Sequence, residues 1–468
     1  MMRALMWLCI AAVASAAPPG LESLVPAGGQ VASRVEVLLS GAGLDKGSPM
    51  AWTNHPGLVL LAGDKPKKFQ ASISKDVPPG PYLMRFYTNE GATPPRIFEV
   101  GTLAEVTETE PNDVVKEVKS APQMNVTING VLLKSGDVDT HAIRVQKGKR
   151  VILELHGYAL GSPMDPAMRL MDVRGVEIAA GHDTHNLDPR IEHVPAVDGT
   201  YFVQVFAFAH PPAADVALMG SANHVYRLTV TDEEKKTPAV SEPKTLTAPV
   251  ALHGRISKNG EEDRFGFLAK KGEDWQIEVH ARNMDATLRI EDADGKVLQQ
   301  ADDGEKEDVN PTLRWKVAKD GEFKMVIADR FQHGGPDHDY ELTVKPFAPK
   351  ITATLAAHAY RVEIGKSVEM KLSVKTNGAV TGKMQARVVE VPAGVTAAVM
   401  EVPAKGGDVT LTLKVAADAV VSQAPFAVEV TSDATTVRAT YAVPFTEPRG
   451  ALLIMNDAQP WLTVAAGK

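Results

Sequence analysis

Apolar side chains recur at every second position along most of this chain. Examples are Val35, Val37 and Leu39; Val151, Leu153 and Leu155; Val368, Met370, Leu372 and Val374; and Val409, Leu411, Leu413 and Val415. The runs are broken by Gly, Pro, Asn or Asp every ~8–12 residues, the strand-and-turn rhythm of sandwiches and barrels. No long stretch follows the 3.6-residue period of a helix. The pattern predicts an all-β chain.

Self-comparison adds a repeat. NGVLLKSGDVDTHAI at 129–143 matches HGRISKNGEEDRFGF at 253–267, so Gly130 and Gly254 lie 124 residues apart. DPAMRLMDVRG at 165–175 matches DATLRIEDADG at 285–295, VDGTYFVQV at 197–205 matches KDGEFKMVI at 319–327, and VYRLTV at 225–230 matches DYELTV at 339–344. The shrinking offset places extra loop residues in the first copy, around 210–223. A charged, Pro-containing stretch at 232–245 reads as a linker.

Length and charge narrow the picture. The 468 residues suffice for roughly three or four domains. The net charge is −8 and the basic residues are scattered, which argues against a nucleic-acid binder. Residues 1–16 combine Arg3, an apolar core from Ala4 to Val13 and the small-residue site Ala14-Ser15-Ala16, the layout of a secretory signal peptide cut after Ala16. Beyond it, no apolar run approaches the ~18–20 residues of a membrane helix, which predicts a chain without a transmembrane segment. The only cysteine, Cys9, lies inside the leader, so the exported chain would hold no disulfide, thiolate nucleophile or Cys-ligated zinc.

TETEPND at 107–113, NG at 129, GDVD at 136–139, DPAMRLMD at 165–172, DG at 198 and YRLTV at 226 resemble the bacterial pre-peptidase C-terminal domain. That family is a jelly-roll-like β-sandwich found beside secreted peptidases and related to collagen-binding domains of clostridial collagenases. The second copy resembles it more weakly. The opening SLVPAGGQ and VEVLLSGAGL is similar to an IPT/TIG immunoglobulin-like domain, and the last unit to an immunoglobulin-like or fibronectin-like sandwich. Strings of such modules are similar to secreted proteins of planctomycete-type bacteria. The expected order is signal peptide 1–16, IPT/TIG-like sandwich 17–103, first pre-peptidase-like sandwich 104–231, linker 232–245, second copy 246–346, immunoglobulin-like sandwich 350–446 and a tail 447–468 that docks or dangles.

One region carries chemistry. Glu108 and Glu110 are two apart, so an extended segment turns both carboxylates to one side. Pro111 biases residue 110 toward extended backbone, and Asn112 and Asp113 add oxygen donors at the turn. Asp137 and Asp139 repeat the two-apart spacing. The resemblance implies that the two clusters meet. Five gathered carboxylates would repel one another unless a cation sat among them, and oxygen donors without His or Cys suit calcium. The resemblance thus assigns calcium to Glu108, Glu110, Asn112, Asp113, Asp137 and Asp139. The competing reading is a solvated acidic linker. In the second copy only Glu242-Pro243 and Glu261, Glu262 and Asp263 remain, too few for a site.

HDTHNLD at 182–188 offers His182, Asp183, His185 and Asp188, read as a loop in preference to a transition-metal site. EDADGK at 291–296 reads as a hairpin turn. Trp52, Trp275 and Trp315 are candidates for stacking on sugars, although core packing fits Trp275 and Trp315 better. No H-E-x-x-H, G-x-S-x-G or phosphate loop is present. The expectation is a non-catalytic, secreted or periplasmic binding or scaffold protein that meets an extracellular protein or polysaccharide. Two alternatives are an accessory subunit associated with a secreted peptidase, and a hydrolase whose site is built from distant loops.

Overall fold

The computed structural model describes residues 17–45, 48–118, 121–184, 187–209, 217–232, 240, 243–281, 284–304, 310–335, 338–380, 382–433, 435–444 and 455–467. The leader 1–16, His185, Glu242 and much of the 232–245 linker lie outside them. Among the described residues every regular element is a β-strand except one 3₁₀ turn, Val115–Glu117, and no helix is long and apolar enough to cross a membrane. The chain is a multi-domain β-sandwich protein.

The alternation seen in the sequence becomes alternation of burial. In Arg34–Ser40, Val37 and Leu39 are buried while Glu36 and Leu38 face out. In Ser367–Asn377, Met370, Leu372 and Val374 are buried while the intervening Lys371 and the flanking Glu369 and Lys375 are exposed. Each strand thus lends one face to a core.

The two repeats share eight strands paired identically. In the first, Val126–Val131, Val225–Thr231, Val151–His156 and Arg190–His193 form one sheet, and Asp139–Val145, Gly199–Ala209, Met164–Met171 and Glu177–Gly181 the other. In the second, the counterparts are Val250–Arg255, Asp339–Pro346, Asp274–Ala281 and Thr312–Lys316, facing Glu262–Ala269, Gly321–Asp329, Ala286–Glu291 and Val297–Ala301. Even the register shift recurs, at Leu170/Met171 and Ile290/Glu291. The ninth strand differs. Ala104–Thr107 runs parallel beside Val126–Val131 in the first repeat, whereas Thr245–Leu246 runs parallel beside Glu262–Ala269, in the opposite sheet, in the second.

Two compact units result. One draws on residues up to 234 together with 351–375 and 380–468; the other is 235–350 with 376–379. In the first unit a single hydrophobic cluster runs from Phe69, Phe86 and Phe98 of the N-terminal sandwich, past Leu160 and Val225 of the first repeat, to Met370, Phe426 and Leu462 of the C-terminal sandwich. The modules follow one another like beads in sequence, but three of them share this unit in space. The tail also differs from a dangling end: Trp461–Ala465 lies between Ala359–Glu363 and Ser422–Pro425 as the middle strand of a three-stranded sheet. The fourth sandwich therefore extends into the tail, past residue 446.

Candidate metal centre

The site forms where the lead-in strand Ala104–Thr107 ends. Parallel pairing with Val126–Val131 carries the backbone on to Glu108, whose N–H donates to Asn129 O at 3.0 Å. Glu108 Oε1 accepts from Val131 N at 2.6 Å and Oε2 from the Tyr226 hydroxyl at 2.9 Å. Past Pro111, the Asn112 carbonyl accepts from Thr140 N at 3.0 Å, which docks the turn onto the strand that carries Asp139. Sequence-distant carboxylates are thereby gathered by backbone hydrogen bonds.

Tyr226 is fully buried and sits directly across from Gly130, where a Cβ would fall 2.2 Å from the phenol ring and hydroxyl. The glycine is required because the ring lies over it. The hydroxyl is 2.7 Å from Asp139 Oδ2 and 2.7 Å from His141 Nε2. Ligand-type atoms of Glu108, Asp139 and His141 crowd within 4.8 Å of one another. They do so because all three bond the same phenol oxygen, which fills their centre, so this inner cluster is a hydrogen-bond hub and not a metal site. One hydroxyl proton cannot serve two carboxylates. Burial, then the hydrogen bond and charge of Glu108, push the Asp139 carboxyl up to about 10, while burial alone holds His141 at about 4.

The outer cluster has no such centre. Oxygens of Glu110, Asp137 and Asp139 also lie within 4.8 Å of one another. Asp137, Asp139 and Asn112 are buried at 1%, 0% and 3% exposure, and Glu110 covers them from the exposed side. Burial, then the charges of Glu108 and Asp137, raise the Glu110 carboxyl above its ordinary value. The nearby cation, Lys134 at 3.7 Å from Asp137 Oδ1, has a side chain 69% exposed. The Asn112 amide, with its nitrogen toward the cluster, donates to Asp139 Oδ1 at 3.3 Å and to Glu110 Oε2 at 3.1 Å. A cavity of about 60 Å³, lined by Glu108, Asn112, Thr140 and His141 among others, adjoins the cluster and has room for water.

Of the six residues singled out from the sequence, Glu110, Asn112, Asp137 and Asp139 converge. Glu108 lies on the far side of Asp139, engaged by Tyr226. The Asp113 carboxylate does not join: it is 4.0 Å from Lys134, and its backbone carbonyl accepts from Thr140 and Gln204 instead. Two-residue spacing predicted one shared side for Glu108 and Glu110, but the turn at Pro111 and the pull of Tyr226 separate them. Tyr226 and His141 were missed, although the Gly and Tyr recurring in both repeats were a usable signal.

The second repeat keeps the hub and lacks the outer oxygens. Tyr340 lies over Gly254, again with a prospective Cβ 2.2 Å from the ring, and donates to Asp263 at 2.5 Å. Glu261 caps the turn as Asp137 does, accepting from Ser257 N at 2.5 Å and Lys258 N at 2.8 Å. Glu262 is taken by Arg264 and Arg289, Phe265 stands where His141 does, and no segment corresponding to 108–113 reaches this edge among the described residues.

The other candidates resolve structurally. Asp188 turns inward and accepts from the N–H groups of Gly157, Tyr158 and Ala159 at 2.9, 2.7 and 2.7 Å, while His182 is exposed. Asp292 Oδ1 caps the turn at 292–296 through the N–H groups of Asp294 and Lys296. Trp315 is buried edge-on to Phe323, Trp275 packs edge-on to Phe267, and Trp52 packs on Trp461.

No protein-family model matches the chain, and no curated protein matches it. Among solved structures it is similar to the pre-peptidase C-terminal domain of a Bacillus anthracis collagenase, at 14% identity over 23% of this chain and all of that one, with a TM-score of 0.19. It is also similar to the Bacteroides ovatus mixed-linkage glucan utilization protein SGBP-B, solved with a mixed-linkage heptasaccharide, at 10% identity over 69% of this chain and 74% of that one, TM-score 0.16. A Salmonella alpha-2-macroglobulin mutant matches at 13% identity over 99% of this chain, which spans 31% of that one, TM-score 0.16. Scores this low leave the functional argument to the chain's own geometry.

Proposed function

We propose that the chain is an exported, non-catalytic binding or scaffold protein whose first repeat takes one calcium ion. Glu110, Asp137 and Asp139 supply the protein oxygens, and water from the adjoining cavity completes the six to eight that calcium takes. The observation that carries this reading is the convergence of the Glu110, Asp137 and Asp139 carboxylates within 4.8 Å of one another, with both aspartates buried.

The ion would act by ordering. It would neutralise the cluster and hold the 108–113 turn, and with it the lead-in strand. That strand also carries Glu105, which binds Arg227 at 2.8 and 2.9 Å; the Arg227 guanidinium packs against Gly28 and reaches Glu99 of the N-terminal sandwich at 3.4 Å. Holding one strand thus stiffens the joint between two modules, whose outer surfaces would meet an extracellular protein or polysaccharide.

Titration calorimetry of the full chain with calcium chloride, against a magnesium control, tests the site. One calcium per chain is expected, lost in Asp137→Asn and Asp139→Asn and retained in Asp113→Asn. Absence of heat in the parent chain, or binding unaltered by Asp139→Asn, would defeat the assignment.

A further inference from the structure

The strand Trp461–Ala465 is buried along its whole length, and its first residue faces the N-terminal sandwich. Trp461 is 1% exposed, with ring centroids 6.0 Å from Trp52 and 4.8 Å from Tyr87, and its Nε1 donates to Gln423 at 2.9 Å. One aromatic side chain therefore serves two modules.

Arg85, on the strand Gly80–Thr88, lies in this contact with no exposure at all. Its guanidinium is 5.5 Å from the Trp461 ring centroid and 6.0 Å from that of Trp52. Nη2 donates to the Tyr441 hydroxyl at 3.0 Å, Nη1 reaches His358 O at 3.4 Å, and Nε has no partner. The facing carboxylate, Asp457, is one phenol away, accepting from Tyr441 at 2.7 Å. At the rim, Glu90 and Arg361 approach to 3.9 Å, and Arg96 donates to Pro444 O at 2.8 Å.

A fully buried cation without a carboxylate in direct contact is an expensive way to glue two apolar faces. An apolar side chain of similar volume generally does as well or better. What the guanidinium adds is a reason to open, since separation returns it to water. We propose that Arg85 and the 461–465 strand form a reversible latch between the first and last sandwiches, in which aromatic packing closes the contact and the unneutralised guanidinium limits how tightly it holds. This latch does not depend on the calcium reading.

Spin labels on Glu90→Cys and Arg361→Cys in the full chain, with Cys9→Ser, read the contact directly by electron-electron double resonance. The parent should give a dominant short distance with a minor long component. Arg85→Met should shift the short-to-long ratio toward closed by roughly tenfold or more. Arg85→Glu, which sets an anion against Tyr441 and Asp457, should convert the population to the long distance while circular dichroism stays unchanged. A short distance surviving in Arg85→Glu, or an Arg85→Met chain no more closed than the parent, would overturn the latch. Arg85 sits on the N-terminal module, so these outcomes do not hinge on the folding of the C-terminal strand, as a Trp461 variant would.

Discussion

Laid over one another, the two repeats agree at the centre and part at one edge. Both press a tyrosine onto a glycine and bond its hydroxyl to an aspartate, Tyr226 with Gly130 and Asp139, Tyr340 with Gly254 and Asp263. Among the described residues, only the first lays an acidic turn across that aspartate, because its extra strand joins the sheet of Val126–Val131; the second docks its extra strand on the other sheet. The hub belongs to the sandwich, whereas the oxygen cluster belongs to the way the preceding chain enters it.

If the hub is shared, damaging it should hurt both repeats alike. Gly130→Ala and Gly254→Ala each force a methyl into a phenol ring and should each cost about 3 kcal/mol in urea unfolding of the full chain. A repeat that tolerates the change breaks the equivalence.

Calcium should separate what alanine does not. At a hundredfold excess over its dissociation constant the ion stabilises a one-site protein by about 2.7 kcal/mol. The melting transition that includes the first repeat should rise accordingly and fall back with chelator. Asp139→Asn should abolish that response and Asp263→Asn should leave it intact.

A smaller effect should appear with pH. Burial opposes protonation of His156, but the carboxylates of Glu154, 3.9 Å away, and Glu99, hydrogen-bonded at 3.0 Å, outweigh this and raise it to about 10. A histidine raised above its unfolded value near 6.5 stabilises fully below that pH, and the contribution is lost as pH climbs toward 10. Between those limits the unit holding the first repeat should weaken by about 1.5 kcal/mol, the usual worth of a hydrogen bond to a charged group. His156→Gln should flatten the profile.

The smallest expected difference lies on the second repeat, where Glu262 and Glu291 alternate with Arg264 and Arg289 at 2.7–2.8 Å. Glu262→Gln should cost under ~1 kcal/mol, and less in high salt. A larger loss would mean that these ions replace the missing cation cluster energetically.

The strands were legible because alternation reports which face is buried, as at Val37, Leu39, Met370 and Leu372. The repeat was legible from paired glycines and tyrosines. The oxygen cluster was legible only in part: spacing gave Asp137 and Asp139, but could not foresee that Tyr226 would draw Glu108 inward or that Lys134 would stand beside both Asp137 and Asp113. Periodicity was silent on the embrace of the first and last sandwiches. A pattern names the face a residue turns inward, never the partner that will cover it, so neither Arg85 nor Trp461 announced itself.

That embrace has a consequence for how the molecule assembles. The hydrogen bond from Arg85 to Tyr441 joins residues 356 positions apart. Contacts so remote in sequence form late and slowly, after nearer neighbours have condensed. The aromatic face around Trp52 must therefore wait, wet and unclaimed, while hundreds of later residues find their places, and during that interval the young protein is most exposed to sticking to its own kind.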